Sequence, residues 1–182
     1  MSDQSIPLCV DLDGSLVKQD LFTNAYIDLL KKNFFMGLML LWLWPVKGRA
    51  AFKAQVAAKV AIDLTTVVFN QELIQFLVSE QGQGRKIILV TANDSRIAHQ
   101  VADHLGFFTE VIASDGIVNL KGRKKAKKLV DRYSVNGFDY VGNDDCDIPV
   151  WQQARRVYVV TKTERLLDKV RSQKKIDRVF NW

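Results

Sequence analysis

The sequence predicts an α/β fold, a Rossmann-like parallel sheet flanked by helices, with a helical insertion between the first and second strands. Three observations carry that expectation. Short apolar, β-branched runs each end in a polar or acidic cluster. The spans between them hold apolar residues at helical spacing, the alternation that builds a parallel sheet. The polar clusters also fall after the strands, at the carboxyl ends where open parallel sheets bind ligands.

The first run, Ile6-Pro7-Leu8-Cys9, leads into Val10-Asp11-Leu12-Asp13-Gly14-Ser15. Two carboxylates one residue apart at the end of a buried strand cost repulsion and desolvation, and a divalent cation is the usual offset. Gly14 lets the chain turn away sharply. The functional reading is a nucleophilic aspartate beside an acid/base aspartate at a magnesium site. The alternative is a solvated turn, since Asp-Gly is an ordinary turn dipeptide.

Residues 16–80 are too many for a plain crossover and read as mostly helical. Leu21, Ala25, Leu29 and Leu30 share one face, with Lys31 and Lys32 at its end. Phe52, Val56, Val60 and Ala61 give a second apolar face within an alanine- and lysine-rich segment. Residues 71–79 form the crossover helix, stopped by Gln81-Gly82-Gln83-Gly84. Between them, residues 34–44 run without a charge, too few to span a bilayer, and Pro45 follows. The expectation is a buried helix. The other reading is a membrane-interface element, because Trp42 and Trp44 are interface-seeking and Lys31, Lys32, Lys47, Arg49 and Lys53 flank the run.

The second strand, within residues 86–95, ends on Thr91 and is followed by a helix carrying His99 and His104. Five residues apart, those histidines do not form a metal pair on one face, and ordinary surface or packing roles are expected. Ser114-Asp115-Gly116 reads as a structural turn. A basic segment, residues 120–126, then enters a helix, and Phe138-Asp139-Tyr140-Val141 makes a third strand ending in Gly142-Asn143-Asp144-Asp145-Cys146-Asp147. Residues 163–182 read as a basic amphipathic helix closing on Phe180-Asn181-Trp182. That apolar ending predicts continuation into a further C-terminal domain.

The order strand–DxDGS, strand–Thr, lysine helix, strand–GNDDxD resembles the haloacid dehalogenase (HAD) superfamily of phosphotransferases across essentially the whole chain. Within it, the chain looks like the HAD-like phosphatase domain found ahead of membrane prenyltransferases. The matching stretches are Ala113-Ser114-Asp115-Gly116, Asn119-Leu120-Lys121-Gly122, Gly142-Asn143 and Asp147-Ile148-Pro149-Val150-Trp151. The resemblance implies a HAD core of residues 1–15 and 81–182, with residues 16–80 as a helical cap including the crossover helix. Such a cap selects substrate and excludes water from the reacting phosphate.

It also implies residue roles. Asp11 attacks phosphorus and becomes an aspartyl phosphate, and Asp13 protonates the leaving oxygen and then takes a proton from water. Thr91, with Ala92, Asn93 and Gly14, binds the phosphate. Lys125, which fits the Lys-Ala pattern with Leu129 four residues on, neutralises the transferring group, and Lys121 is the competing lysine. Arg123, Lys124, Lys127 and Lys128 read as a solvated helix face. Magnesium is held by Asp11, Asp13 through its carbonyl, Asn143, Asp144 and Asp147. Most of the superfamily has aspartate where this chain has Asn143, which removes one negative charge and lowers the expected metal affinity unless Asp144 compensates.

The bulk properties agree. A chain of 182 residues, 48% hydrophobic and 25% charged, fits one domain with an insertion. Two cysteines give no disulfide framework and point to a reducing, cytoplasmic setting, with peripheral membrane association as the variant. Neither starts the Cys-x5-Arg signature of cysteine-dependent phosphatases, so Cys9 reads as packing and Cys146 as spacer. Met-Ser-Asp-Gln-Ser shows no signal-peptide pattern. A net charge of +6 suits an anionic partner, either a phosphorylated substrate or an anionic membrane surface, and no nucleic-acid module is recognisable. The expected function is a magnesium-dependent phosphomonoesterase acting on a small or lipid-linked phosphate. The alternatives are a phosphotyrosine-type phosphoprotein phosphatase and a non-catalytic membrane or partner-binding module.

Overall fold

The structure is a computed structural model and describes residues 5–182. The signal-peptide reading and the first residues of the expected core therefore lie outside the described residues. Six strands form one sheet in the order β3-β2-β1-β4-β5-β6, and every pairing is parallel. They are β1 (Leu8–Val10), β2 (Ile87–Asp94), β3 (Glu110–Ser114), β4 (Asp139–Gly142), β5 (Val157–Val160) and β6 (Arg178–Phe180). The expected α/β class stands.

Both sheet faces are covered, as an all-parallel sheet demands. Alternate strand residues face opposite layers. Leu8, Val10, Ile87 and Leu89 pack with Leu73 and Leu77 of α4 (Gln71–Gly82) and Ile97 and Val101 of α5 (Ser95–Leu105). Cys9, Ile88 and Val90 face Leu129 of α6 (Arg123–Tyr133), Trp151 of α7 (Ile148–Trp151) and Leu167 of α8 (Glu164–Arg171). The chain winds outward from β1 through β2 to β3, then crosses back to β4 on the other side of β1. That reversal makes the carboxyl ends of β1 and β4 the switch point at which ligands bind.

Between β1 and α4 lie α1 (Leu21–Lys32), α2 (Phe34–Leu41) and α3 (Leu43–Ala57). Asp20 caps α1 by accepting from the Thr23 amide. Gly48 breaks α3 with φ 85° and ψ 170°, conformations only glycine adopts at low cost. Leu21, Phe22, Phe52 and Val56 join the same apolar cluster as Leu8 and Val10, so the insertion is continuous with one core layer.

Two expectations are corrected here. The apolar run 34–44 is not one buried helix but two helices joined at Trp42, with only Gly37 and Leu40 of α2 buried. Three short helices cannot enclose a segment that is apolar on every side, so packing covers one edge, where Gly37 sits against Leu30. The continuous C-terminal helix also stops at Arg171, and residues 178–180 form the edge strand β6. A three-residue strand beginning with arginine shows no usable periodicity.

Candidate active site

β1 ends at Val10, and the Asp11 amide donates to the Val141 carbonyl at 3.0 Å, tying the first acidic loop to β4. Gly14 then takes φ 77° and sits so close to Asn143 that a Cβ there would lie 2.1 Å from the amide nitrogen. The Ser15 hydroxyl donates to Asn143 Oδ1 at 3.1 Å. Sequence positions more than a hundred residues apart are thereby locked together. The resulting cleft, about 280 Å³, is bordered by Asp11, Asp13, Gly14, Thr91, Lys125 and Asn143.

Of the two lysines, Lys125 is the one that lies against Asp11. Its ammonium lies 2.6 Å from Asp11 Oδ1, 2.8 Å from the Tyr140 hydroxyl and 3.4 Å from Asp147 Oδ1. Burial opposes its charge, but Asp11 and Asp147 overcome that and hold it above the ordinary lysine range. Lys121 borders the cleft without a contact to Asp11. Arg123, Lys124, Lys127 and Lys128 are exposed, the solvated face expected of them.

The two aspartates occupy different surroundings. Asp13 Oδ1 accepts from the Leu21 amide at 3.1 Å and Oδ2 from Asn93 Nδ2 at 2.7 Å, which fixes both oxygens. Burial pushes Asp13 up to about 6 and Asp11 up to about 7, the latter against the pull of Lys125. Thr91 is buried on β2, and its Oγ1 accepts from the Asn93 amide at 3.0 Å. Thr91 and Ala92 border the cleft, whereas Asn93 stands behind it and orients Asp13.

Asp147, expected to support the metal either directly or through the groups around it, is not among the side chains that border the cleft. It is fully buried, and Oδ1 accepts from Tyr140 at 2.8 Å while Oδ2 accepts from the amides of Asn143 and Asp144 at 3.1 and 3.3 Å. Those bonds spend its oxygens on shaping the loop and steadying Lys125. Asp11, Asn143 and Asp144 border the cleft with oxygen donors. Among the described residues no three His, Cys, Asp or Glu side chains converge as a metal cluster. Magnesium needs no such cage, being held commonly through one or two carboxylates completed by water and substrate phosphate. The donor set fits a hard divalent cation and no soft metal.

Sequence reasoning missed the contribution of α3. Buried Lys53 reaches from it to the Ala92 carbonyl at 3.1 Å and to Asn93 Oδ1 at 3.4 Å, and Arg49 borders the cleft beside it. The available signal was a lysine directly after Phe52, on the face that Phe52 and Val56 bury. Asn119 was missed as well. It borders the cleft and its Oδ1 is buried without a partner among the described residues, so it can accept from a ligand or water. Ser114 has the expected structural role, bridging the Ala92 carbonyl and the Leu120 amide at 3.0 Å each. His99 and His104 are exposed, His104 stacked on Phe69. Burial raises both cysteine thiols, Cys146 to about 12, which removes either as a nucleophile at neutral pH.

No family model matches the chain. The uncharacterized protein y4nM of Sinorhizobium fredii is 31% identical over 171 residues, which is 93% of this chain and 32% of that protein. The chain thus spans about a third of the curated relative's length. Among solved structures, a HAD-family hydrolase of Salmonella enterica serovar Typhi superposes with a TM-score of 0.65 at 11% identity, covering 100% of this chain and 70% of that one. Phosphoserine phosphatase in its apo form gives 0.62 at 13% identity, covering 97% and 93% of the two chains. The chain therefore has the fold of the HAD hydrolases.

Proposed function

We propose that the chain is a magnesium-dependent phosphomonoesterase that works through an aspartyl phosphate on Asp11. The observation that carries this reading is Asp11 at the switch point, 2.6 Å from buried Lys125 and two residues from a separately held Asp13. Similarity to phosphoserine phosphatase in fold supports it.

Asp11 attacks phosphorus through a carboxylate oxygen. As that bond forms, the bond from phosphorus to the leaving oxygen breaks, and Asp13 gives that oxygen its proton. Asp13, now ionised, takes a proton from a water that attacks the acyl phosphate, releasing inorganic phosphate and regenerating Asp11. Lys125 offsets the charge on the transferring oxygens, and Thr91 holds one of them. Magnesium, held by Asp11, Asn143 and Asp144 with the Asp13 carbonyl, supplies further charge neutralisation and orientation when bound. Helices α1 to α3 act as a cap, with Arg49 and Lys53 of α3 adding positive charge at the cleft, while the crossover helix α4, expected within the cap, packs on the sheet instead. The cleft's size suits a small phosphate or a phosphorylated headgroup.

The test is phosphate release from p-nitrophenyl phosphate, phosphoserine, phosphotyrosine peptides, sugar phosphates and prenyl phosphates, with magnesium and with EDTA. Turnover should require magnesium, and Asp11→Asn should lower it on the order of a thousandfold or more while the fold persists. A preference for the phosphotyrosine peptides would redirect the substrate class to phosphoproteins. Folded protein with no turnover, or turnover indifferent to Asp11→Asn, would sink the mechanism.

A further inference from the structure

The insertion presents an apolar surface that no other part of the described chain covers. In α2 only Gly37 and Leu40 are buried, while Phe35 is 82% exposed, Met39 63%, Trp42 72% and Val46, just beyond, 73%. A helix that is apolar all round belongs in a large core or in lipid, and this one meets the core along one edge only, through Leu40 and Met36. A contiguous exposed patch of this kind marks a protein or membrane contact.

Charge decides between those occupants. From Asp28 to Asp63 the chain carries six cations and no carboxylate between them: Lys31, Lys32, Lys47, Arg49, Lys53 and Lys59. Lys31 and Lys32 lie directly before α2, and Lys47 and Arg49 follow Trp44; all four are exposed. An apolar, tryptophan-bearing stretch framed by exposed cations matches a bilayer surface with anionic headgroups. A second copy of this chain would instead bring the same cations against themselves across a twofold axis. The patch is also continuous with the mouth of the cleft, because Arg49 lies 5.5 Å over the Trp44 ring and borders the cleft. Among the described residues no helix is long and apolar enough to cross a membrane, so contact is in the plane of the interface.

We propose that α2 and the start of α3 form a membrane-interface element that seats the protein on an anionic lipid bilayer. Phe35, Met39 and Trp42 enter the acyl boundary, and the flanking lysines lie among the headgroups. The inference goes beyond the phosphatase reading and does not rest on it.

Sedimentation with vesicles, without any phosphate substrate, tests it. Vesicles of equal parts phosphatidylcholine and phosphatidylglycerol should carry the protein down and shift its tryptophan emission to the blue, and added salt should weaken binding. The double variant Phe35→Ser, Trp42→Ser should lose at least about tenfold in partitioning, equivalent to about 1.4 kcal/mol. The double variant Lys31→Ser, Lys32→Ser should lose on the order of tenfold on those vesicles and little on phosphatidylcholine alone. All four side chains are exposed, so circular dichroism should show both variants folded as the parent. Absence of binding to the anionic vesicles, or binding that the Phe35/Trp42 variant keeps in full, would overturn the proposal. So would a concentration-dependent dimer that this variant dissolves in a protein that ignores vesicles. Because no substrate is present, loss of the phosphatase reading would leave this result standing.

Discussion

Gly14 shows how much one backbone position can carry. Its φ of 77° lies where side chains are disfavoured, and the space a Cβ would need is filled by Asn143. The Trp182 indole also donates to its carbonyl at 2.8 Å, holding the turn from the outside. Gly14→Ala is expected to lower stability by about 2 kcal/mol, read from the urea midpoint, through the strained backbone. It should also weaken magnesium binding, because Asn143 must move. The DxDGS pattern made the glycine's turn legible in the sequence. Its contact with Asn143 was not, since nothing local links residues 14 and 143.

At the scale of elements, β1 and β4 are the pair that brings the acidic loops together, and the opposite ends of the sheet are held by a buried ionic cluster. Asp139, at the start of β4, accepts from Arg155 Nε at 2.9 Å and Nη2 at 2.7 Å, and from Arg85. Arg85 also donates to Glu80 at 2.6 Å and to the Ile6 carbonyl at 2.9 Å, joining the end of α4 to the entry of β1. Asp139→Ala leaves two guanidinium groups around an emptied buried site. The expected cost is about 3–5 kcal/mol, measured by chemical denaturation, with the side chains of the cleft themselves untouched. The strands β1, β2 and β4 were legible because each ends in a chemical signal. Strands β3, β5 and β6 were not, being short, without such a signal, and dependent on pairing for their identity.

For the whole molecule, placing two carboxylates in one cleft couples global stability to pH. Asp13 is raised to about 6 in the folded chain, chiefly by burial, so the folded state binds more protons than the unfolded one across that range. Its stabilising share is full below the unfolded carboxylate value of about 3.9 and is lost as pH rises through about 6. Thermal melts of metal-free protein should therefore fall across this window, and Asp13→Asn should flatten the fall. Magnesium should raise the melting temperature most above it, where the carboxylates are ionised and bind the cation better.

The sequence by itself determined the fold class, the order of the three motif-bearing strands, the Asp11–Asp13 pair and the position of Lys125 in its helix. Each of these rests on short-range pattern: a strand's end, a turn residue, a helical register. The tertiary structure decided the rest. It put Lys125 against Asp11 across 114 residues, turned Asp147 into the loop, drew Lys53 into the cleft and left the apolar side of α2 uncovered. Those outcomes depend on which surfaces meet. An apolar run reads alike whether its face is buried or bare, and only packing tells the two apart.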